Sequence, residues 1–371
     1  MFTQSASSTR PEDYIGGLQV FVESDGESRP PPVLVDPQDE QFLAVGAIIN
    51  LALQLMECQT GRTALTSVGI KFIRHSQNFE HIYEDSLNNM GYWVDMFLYR
   101  IRRSFPAVLL SNNFAGESEA EKANWALGGA GMSQWNPKEA GAMRLKYLII
   151  SDLLTAGRNA LDGRNEDDMI AFERLIFLMA IATAHEIVHL FVGFLTGYGA
   201  PTTPPEVSFL PGQYNTVSPT NSNVKHGESG RAWEGAVFGG TVEAFESSPH
   251  PLGTRQSGVF YLLQHDERAR EVDQAYIRRI LDFNFQFPVT TRGRSISIQR
   301  LFASFRLMHD VRQERMSPTS VQSRHRHFNP TVSLDTLREY RQHPDHTIRG
   351  REFRLLLRIP RDPRRLFSAA D

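Results

Sequence analysis

Cysteine is nearly missing from this chain: Cys58 is the only one in 371 residues. A single thiol excludes an intramolecular disulfide and any CxxC zinc module. An excess of one charge is missing as well, since 39 Lys and Arg face 42 Asp and Glu for a net charge of −3. That balance predicts neither nucleic acid nor an anionic membrane surface as a partner. The opening stretch MFTQSASSTRPEDYIGG has no apolar run of signal-peptide type. Together with the shortage of cysteine, this sets a cytoplasmic expectation. Gly128-Gly129-Ala130-Gly131 is not followed by GKS or GKT, which excludes a phosphate loop.

What is present suffices for a full core, because 41% of the residues are hydrophobic. Residues 1–32 are rich in Ser, Pro, Gly and charge and are expected to form a disordered arm. One catalytic domain is expected over 33–330, followed by an arginine-rich segment over 331–371. The nearly continuous apolar run FLAVGAIINLALQLM predicts a buried helix ending near Cys58. Rough alternation over Thr63 to Ile73 predicts a strand, and the segment that follows predicts an amphipathic helix. On that helix His75, His81 and Glu84 belong to a solvated face rather than a metal site. Residues 112–142 are loop-like, and Arg144 to Ser151 predicts a short strand whose edge an extended substrate could join.

The stretch His185-Glu186-Ile187-Val188-His189 is where spacing alone specifies a chemistry. Two histidines four apart on a helix share one face, so both imidazoles can reach one metal ion from a rigid backbone. Glu186 lies about 100° around the helix from His185, placed to hold a water without being a ligand. The helix carrying them is expected over about 166–195, opened by Asn165-Glu166-Asp167-Asp168 and closed by Gly197-Tyr198-Gly199. Ile176 to Leu195 is long and apolar enough to cross a bilayer. Two histidines and a glutamate in lipid would be costly, so a central helix wrapped in protein is expected and no membrane span. The Pro, Thr, Ser and Asn segment 199–230 that follows is a long loop bordering the site, of the kind that serves as a lid or binding loop.

HEIVH is the HExxH pattern of zinc-dependent peptidases, and a catalytic zinc usually takes a third protein ligand. The metzincin continuation is excluded, because Val192 and Leu195 stand where its Gly and third His would be. A second helix is expected over about 229–246, with Glu234 among Ala232, Trp233, Ala236, Val237 and Phe238. This arrangement resembles the gluzincin branch of the zincin peptidases, in which a glutamate from a later helix completes the site. The resemblance covers only about Ile176 to Phe245. It departs from the thermolysin pattern at Phe238, where that pattern places an aspartate, and in its longer loop. It implies one Zn2+ per chain on His185, His189 and Glu234, with Glu186 as general base. Glu243 is the alternative third ligand, and Glu234 is favoured because the better buried carboxylate needs the metal more. Glycines 230, 235, 239 and 240 would make sense if this helix packs backbone-close on the first. Arg231 is a candidate to pair with Glu234 or Glu228, and Tyr261, His226 or His265 to stabilise an oxyanion.

The expected fold is α+β, predominantly helical, with a zincin-like core and a small sheet beside the HExxH helix. The expected function is zinc-dependent hydrolysis, of a peptide by default. One rival keeps the metal but acts on a small metabolite, and another is a metal-free binding or scaffold protein. No nucleic acid is expected as a partner, and oligomeric state is not legible.

Overall fold

A computed structural model of the chain describes residues 14–24, 31–76, 81–114, 116–162, 166–199, 202–210, 226–246, 257–308, 310, 312 and 331–349. Its architecture is α+β, as expected. The apolar run near the start folds as α1 (Glu40–Glu57), whose N-cap Asp39 accepts a hydrogen bond from Gln41 N–H at 2.8 Å. Cys58 separates α1 from α2 (Gln59–His75); its Sγ donates to the Leu55 carbonyl and accepts from Gly61 N–H. The strand expected over Thr63 to Ile73 is therefore helix. Gly61, Ala64, Leu65, Val68, Gly69 and Phe72 are its buried residues, and their spacing of three and four suits a helical face better than a pleat. Next, α3 (Met90–Arg103) is amphipathic and buries Val94, Phe97, Leu98 and Ile101. His75 ends α2, exposed and 3.9 Å from Glu206, and Glu84 is exposed too, but the expected single helix does not form: His81 and Glu84 lie in non-helical chain before α3, and His81 Nδ1 is buried.

Residues 14–22, expected inside a disordered arm, instead form β1 (Tyr14–Leu18) and β2 (Val20–Val22), with Ile15, Leu18, Val20 and Phe21 buried. Four buried apolar side chains suffice to seat two short strands once other strands supply partners. With β3 (Val33–Leu34), β4 (Ala107–Ser111), β5 (Ser118–Lys122) and β6 (Gly141–Lys146), β2 makes a five-stranded sheet in the order β3-β2-β4-β6-β5. Strands β2, β4 and β6 run parallel, and β5 lies antiparallel at the edge. The edge beside the metal-type helix is thus β5, from the stretch expected to be loop. The strand expected at Arg144 to Ser151 is interior, and it ends at Lys146 where α5 (Tyr147–Leu161) begins. A four-residue helix, α4 (Pro137–Ala140), precedes β6.

At the centre runs α6 (Glu166–Thr196), packed by α1, α5, β5 and, further on, α7 (Ser229–Phe238). It is long and apolar enough to cross a membrane, yet 78% of its most apolar window is buried inside the fold. After α7 the chain turns at Gly239 (φ 78°) into β7 (Thr241–Phe245). The single helix expected over 229–246 is thus a helix and a strand, because Gly239 takes the left-handed conformation that ends a helix. A four-stranded antiparallel sheet follows in the order β10-β9-β8-β7, with β8 (Val259–Leu263), β9 (Arg268–Val272) and β10 (Thr291–Ser297). Helix α8 (Gln274–Leu281) joins β9 to β10, and α9 (Ile298–Ser304) follows β10. The carboxyl-terminal segment is part of the fold as far as Arg349. In it α10 (Leu334–Tyr340) covers one face of the five-stranded sheet, and β11 (His346–Arg349) pairs with β1.

Candidate metal centre

Helix α6 presents His185, Glu186 and His189 with one donor atom from each mutually within 4.8 Å. The ring centroids of the two histidines are 5.2 Å apart. Each imidazole is held from behind at Nδ1. The Nδ1 of His185 is 2.6 Å from Glu234 Oε1, and the Nδ1 of His189 is 3.1 Å from the Ser229 hydroxyl. Both Nε2 atoms therefore turn forward, and they meet the same atom. Oε1 of Glu228 is 2.6 Å from Nε2 of His189 and 3.3 Å from Nε2 of His185. Glu228 Oε1 is buried and still lacks the directionality of a hydrogen bond to either ring.

Glu228 is the N-cap of α7, where its second oxygen accepts from Arg231 N–H. The positive end of the helix dipole suits an anion there. The residue before it can only be glycine: a Cβ on Gly227 would stand 1.9 Å from the Pro204 carbonyl oxygen. Backbone bonds from Gly227 N–H to Thr203 and from Glu228 N–H to Val207 pin this turn. Helix α7 lies close to α6 because Gly230 has no side chain; a Cβ there would be 2.4 Å from the His185 ring. Its other side is anchored where Trp233 Nε1 donates to the Gly61 carbonyl at 3.1 Å. Of the other glycines, Gly235 makes room for Phe209 and Gly240 for Leu262, rather than for α6.

The electrostatics follow from burial and proximity. Burial disfavours a charged His185, but the Glu228 and Glu234 carboxylates outweigh it and hold the imidazole well above its ordinary value. Burial likewise disfavours a charged Glu228, but His185 and His189 hold it well below the usual carboxylate range. Lys122, at the end of β5, is pulled down by burial against the raising influence of Glu186, Glu228 and Glu119. Burial pushes Glu119 up to about 7.

Two sheet edges border the site. Glu186 Oε2 accepts from Ala120 N–H of β5 at 2.8 Å, and Glu234 Oε2 accepts from Val242 N–H of β7 at 3.0 Å. Between them lies a cavity of about 240 Å³. Leu178, Ile181, Ala182, Val242 and Ala244 form its apolar wall, and His185, Glu186, Glu117, Arg231, Glu234 and Glu243 its polar one, while His189 and Glu228 do not line it.

The sequence-derived candidates separate accordingly. His185, Glu186 and His189 come together. Glu234 is buried beside them, on the Nδ1 side of His185, the ring nitrogen opposite the one that faces Glu228. Glu243 is on strand β7 and pairs with Arg231 at 3.3 Å, in the cavity wall. Tyr261 packs on Phe245 and is not among the cavity-lining residues; neither are the exposed His265 nor His226. Of the loop 199–230, residues 200–201 and 211–225 lie outside the described residues, and with them the question of a lid. Glu228, Ser229 and Lys122 have no counterpart among the sequence-derived candidates for the site itself. The one signal for Glu228 was its position as an acid capping a helix.

No protein-family model matches the sequence, and no match was found among curated proteins or solved structures.

Proposed function

We propose that the chain is a zinc-dependent hydrolase with a zincin-like core, acting on peptides, with His185, His189 and Glu228 as zinc ligands. The observation that carries this reading is the convergence of two Nε2 atoms and one buried carboxylate oxygen on a single locus. Two imidazoles and a carboxylate are a donor set that zinc takes in catalytic sites. Glu234 then has the supporting place: it fixes the tautomer and orientation of His185, as Ser229 does for His189. This moves the third ligand from Glu234 to Glu228.

Bound zinc supplies Lewis acidity to a substrate carbonyl and lowers the pKa of water at the site. The rest of the chemistry belongs to the chain. Glu186 is oriented by Ala120 N–H through Oε2 and is the general base that takes a proton from water and delivers it to the leaving amine. The outer edge of β5 at Ser118, next to the Ala120 N–H that Glu186 takes, offers main-chain groups to an extended peptide. Leu178, Ile181 and Ala182 give the cavity beside the base an apolar wall, and Arg231 is held there by Glu243.

Elemental analysis of wild type, Glu186→Gln and Glu228→Gln, paired with cleavage of a peptide library, tests the reading. One zinc per chain is expected in wild type and in Glu186→Gln, with cleavage reduced by about 10²- to 10⁴-fold in the latter. Glu228→Gln should lose zinc under the same dialysis. A wild-type protein that takes up no zinc would sink the metal reading. A zinc-loaded protein that cleaves no peptide would sink the peptidase reading alone.

A further inference from the structure

The cavity beside the base is walled by the outermost strands of two different sheets. Glu117 and Ser118 line it from the β5 side, and Val242, Glu243 and Ala244 from the β7 side. Leu178, Ile181, Ala182 and His185 line it from α6, at the spacing of one helix face. In each strand the hydrogen bonds show which residues turn their main chain outward. On β5 the odd-numbered residues turn toward β6: Lys146 N–H donates to the Glu117 carbonyl and Ala123 N–H to the Ala140 carbonyl, both at 2.9 Å. The even-numbered residues therefore face out, as Ala120 N–H does at Glu186 and the Lys122 carbonyl does at Val332. On β7, Val242 N–H faces out to Glu234, and just past the strand Glu246 N–H faces out to the Arg306 carbonyl at 2.8 Å. The register of β7 on β8 has no bulge, so Ala244, midway between Val242 and Glu246, faces out as well. Of the cavity-lining residues on the two strands, Ser118, Val242 and Ala244 thus face out, and Val242 N–H is already used by Glu234.

Resting on the peptidase reading above, we infer that the substrate is an extended polypeptide held on both sides at once, by Ser118 of β5 on one side and Ala244 of β7 on the other. Strand β7 is then a second binding edge, and the bound chain joins the two sheets. Consecutive residues of a strand turn their main-chain groups to opposite sides, so a chain with an edge on each side is read at odd and even positions alike. Its side chains stand across that plane, and every second one meets the Leu178, Ile181 and Ala182 stripe. Recognition rests on main-chain groups, with an apolar side chain favoured at alternate positions. A helical segment has its main-chain groups bonded internally and a small metabolite has no such chain, so neither is held this way.

The test is binding of fluorescein-labelled peptides to the full chain in the presence of a chelator, followed by anisotropy, for wild type and Ala244→Pro. The probe is the library peptide that wild type binds most tightly, remade with one carbonyl at a time replaced by a thioamide, a weaker acceptor. Proline at 244 deletes the outward N–H and leaves the ladder to β8 intact, the kind of edge position where a sheet accepts proline. In wild type, sensitive carbonyls are expected an odd number of residues apart, each replacement costing about three- to tenfold in affinity. In Ala244→Pro one parity should lose its sensitivity while the other keeps it. Sensitive carbonyls only an even number apart, or a single one, would mean pairing on one edge; that overturns the proposal and leaves β5 and the peptidase reading standing. Sensitivity at both parities in a folded Ala244→Pro overturns the role of Ala244. If circular dichroism finds that variant unfolded, the wild-type scan decides alone. Odd spacing in a protein that cleaves nothing when loaded with zinc supports the two-edge site and removes the hydrolysis. Binding of no peptide overturns the proposal, and the peptidase reading then stands or falls on its own zinc and cleavage assays.

Discussion

Two buried polar clusters in this fold end differently. Around Arg102, which is 1% exposed, the guanidinium is consumed by its neighbours. Nε and Nη2 reach the two oxygens of Glu57 at 2.5 and 2.7 Å, and Nη1 reaches the Tyr14 carbonyl and Asn50 Oδ1 at 2.8 and 3.0 Å. Around His185 and His189 the hydrogen bonds close only the backs of the rings, at Glu234 and Ser229. The fronts converge with Glu228 Oε1 on one locus. Both clusters are buried and charged, yet the first is a closed fork and the second is aimed. Burial of charge therefore says little about function by itself, since a satisfied pair and a ligand set carry the same desolvation penalty. What separates them is whether the charged groups close on each other: the Arg102 guanidinium and the Glu57 carboxylate do, with only the Asn50 Nδ2 beside them unpaired.

The largest expected effect that would sharpen this contrast is on stability. Arg102→Ala strands Glu57 in the interior and should cost about 3–5 kcal/mol in urea unfolding. Zinc per folded chain should be unchanged, and a parallel loss of zinc would break the distinction between the clusters. Next in size is Glu234→Gln. It removes the anion behind His185 and should weaken zinc binding by about 10- to 100-fold without lowering the stoichiometry at saturation. Loss of stoichiometry there, with zinc retained in Glu228→Gln, would return the third ligand to Glu234.

The smallest effect is on pH dependence in the metal-free protein. His185 is raised above its ordinary 6.5, so its contribution to stability is complete below that pH and is lost as pH rises through the elevated value. Glu228 is lowered from 4.5, so its contribution is complete above that pH and is lost as pH falls through the lowered value. The pair therefore stabilises most between about pH 4.5 and 6.5. Thermal scans of metal-free protein should show the melting temperature falling toward alkaline pH by a few degrees, and the fall should shrink in Glu228→Gln, where Glu234 alone still holds His185 up. A metal-free profile flat across the alkaline side would mean that His185 and its carboxylate neighbours are not coupled as their distances imply.

How much of this was legible beforehand depends on how far apart the partners are in the chain. Helix α6 and its histidine stripe are visible in the sequence because helical spacing is local and 31 residues of largely apolar chain leave little alternative. The strand expected at Thr63 to Ile73 failed because a short apolar run fits either period; the neighbouring helices α1, α3 and α7 decided in favour of α2. Strand β5 reads Ser-Glu-Ala-Glu-Lys, with no apolar alternation to announce it. It is a strand because β6 offers an edge, and only pairing could reveal it. Residues 14–22 look too polar in their flanks to order alone, and partners from β4 and β11 settle them.

The sequence by itself determined that two imidazoles and a carboxylate share one turn of a buried helix, since 3.6 residues per turn require it wherever that helix sits. It also determined that Glu234 would be buried, from its apolar neighbours. Only the tertiary structure decided which acid faces the Nε2 atoms. Glu228 is 39 positions from His189, and its place depends on the approach of α7 to α6, set by Gly230 against the His185 ring and by Trp233 on Gly61. Local periodicity places side chains on a face, whereas the meeting of two faces is a long-range contact that no spacing within either helix contains.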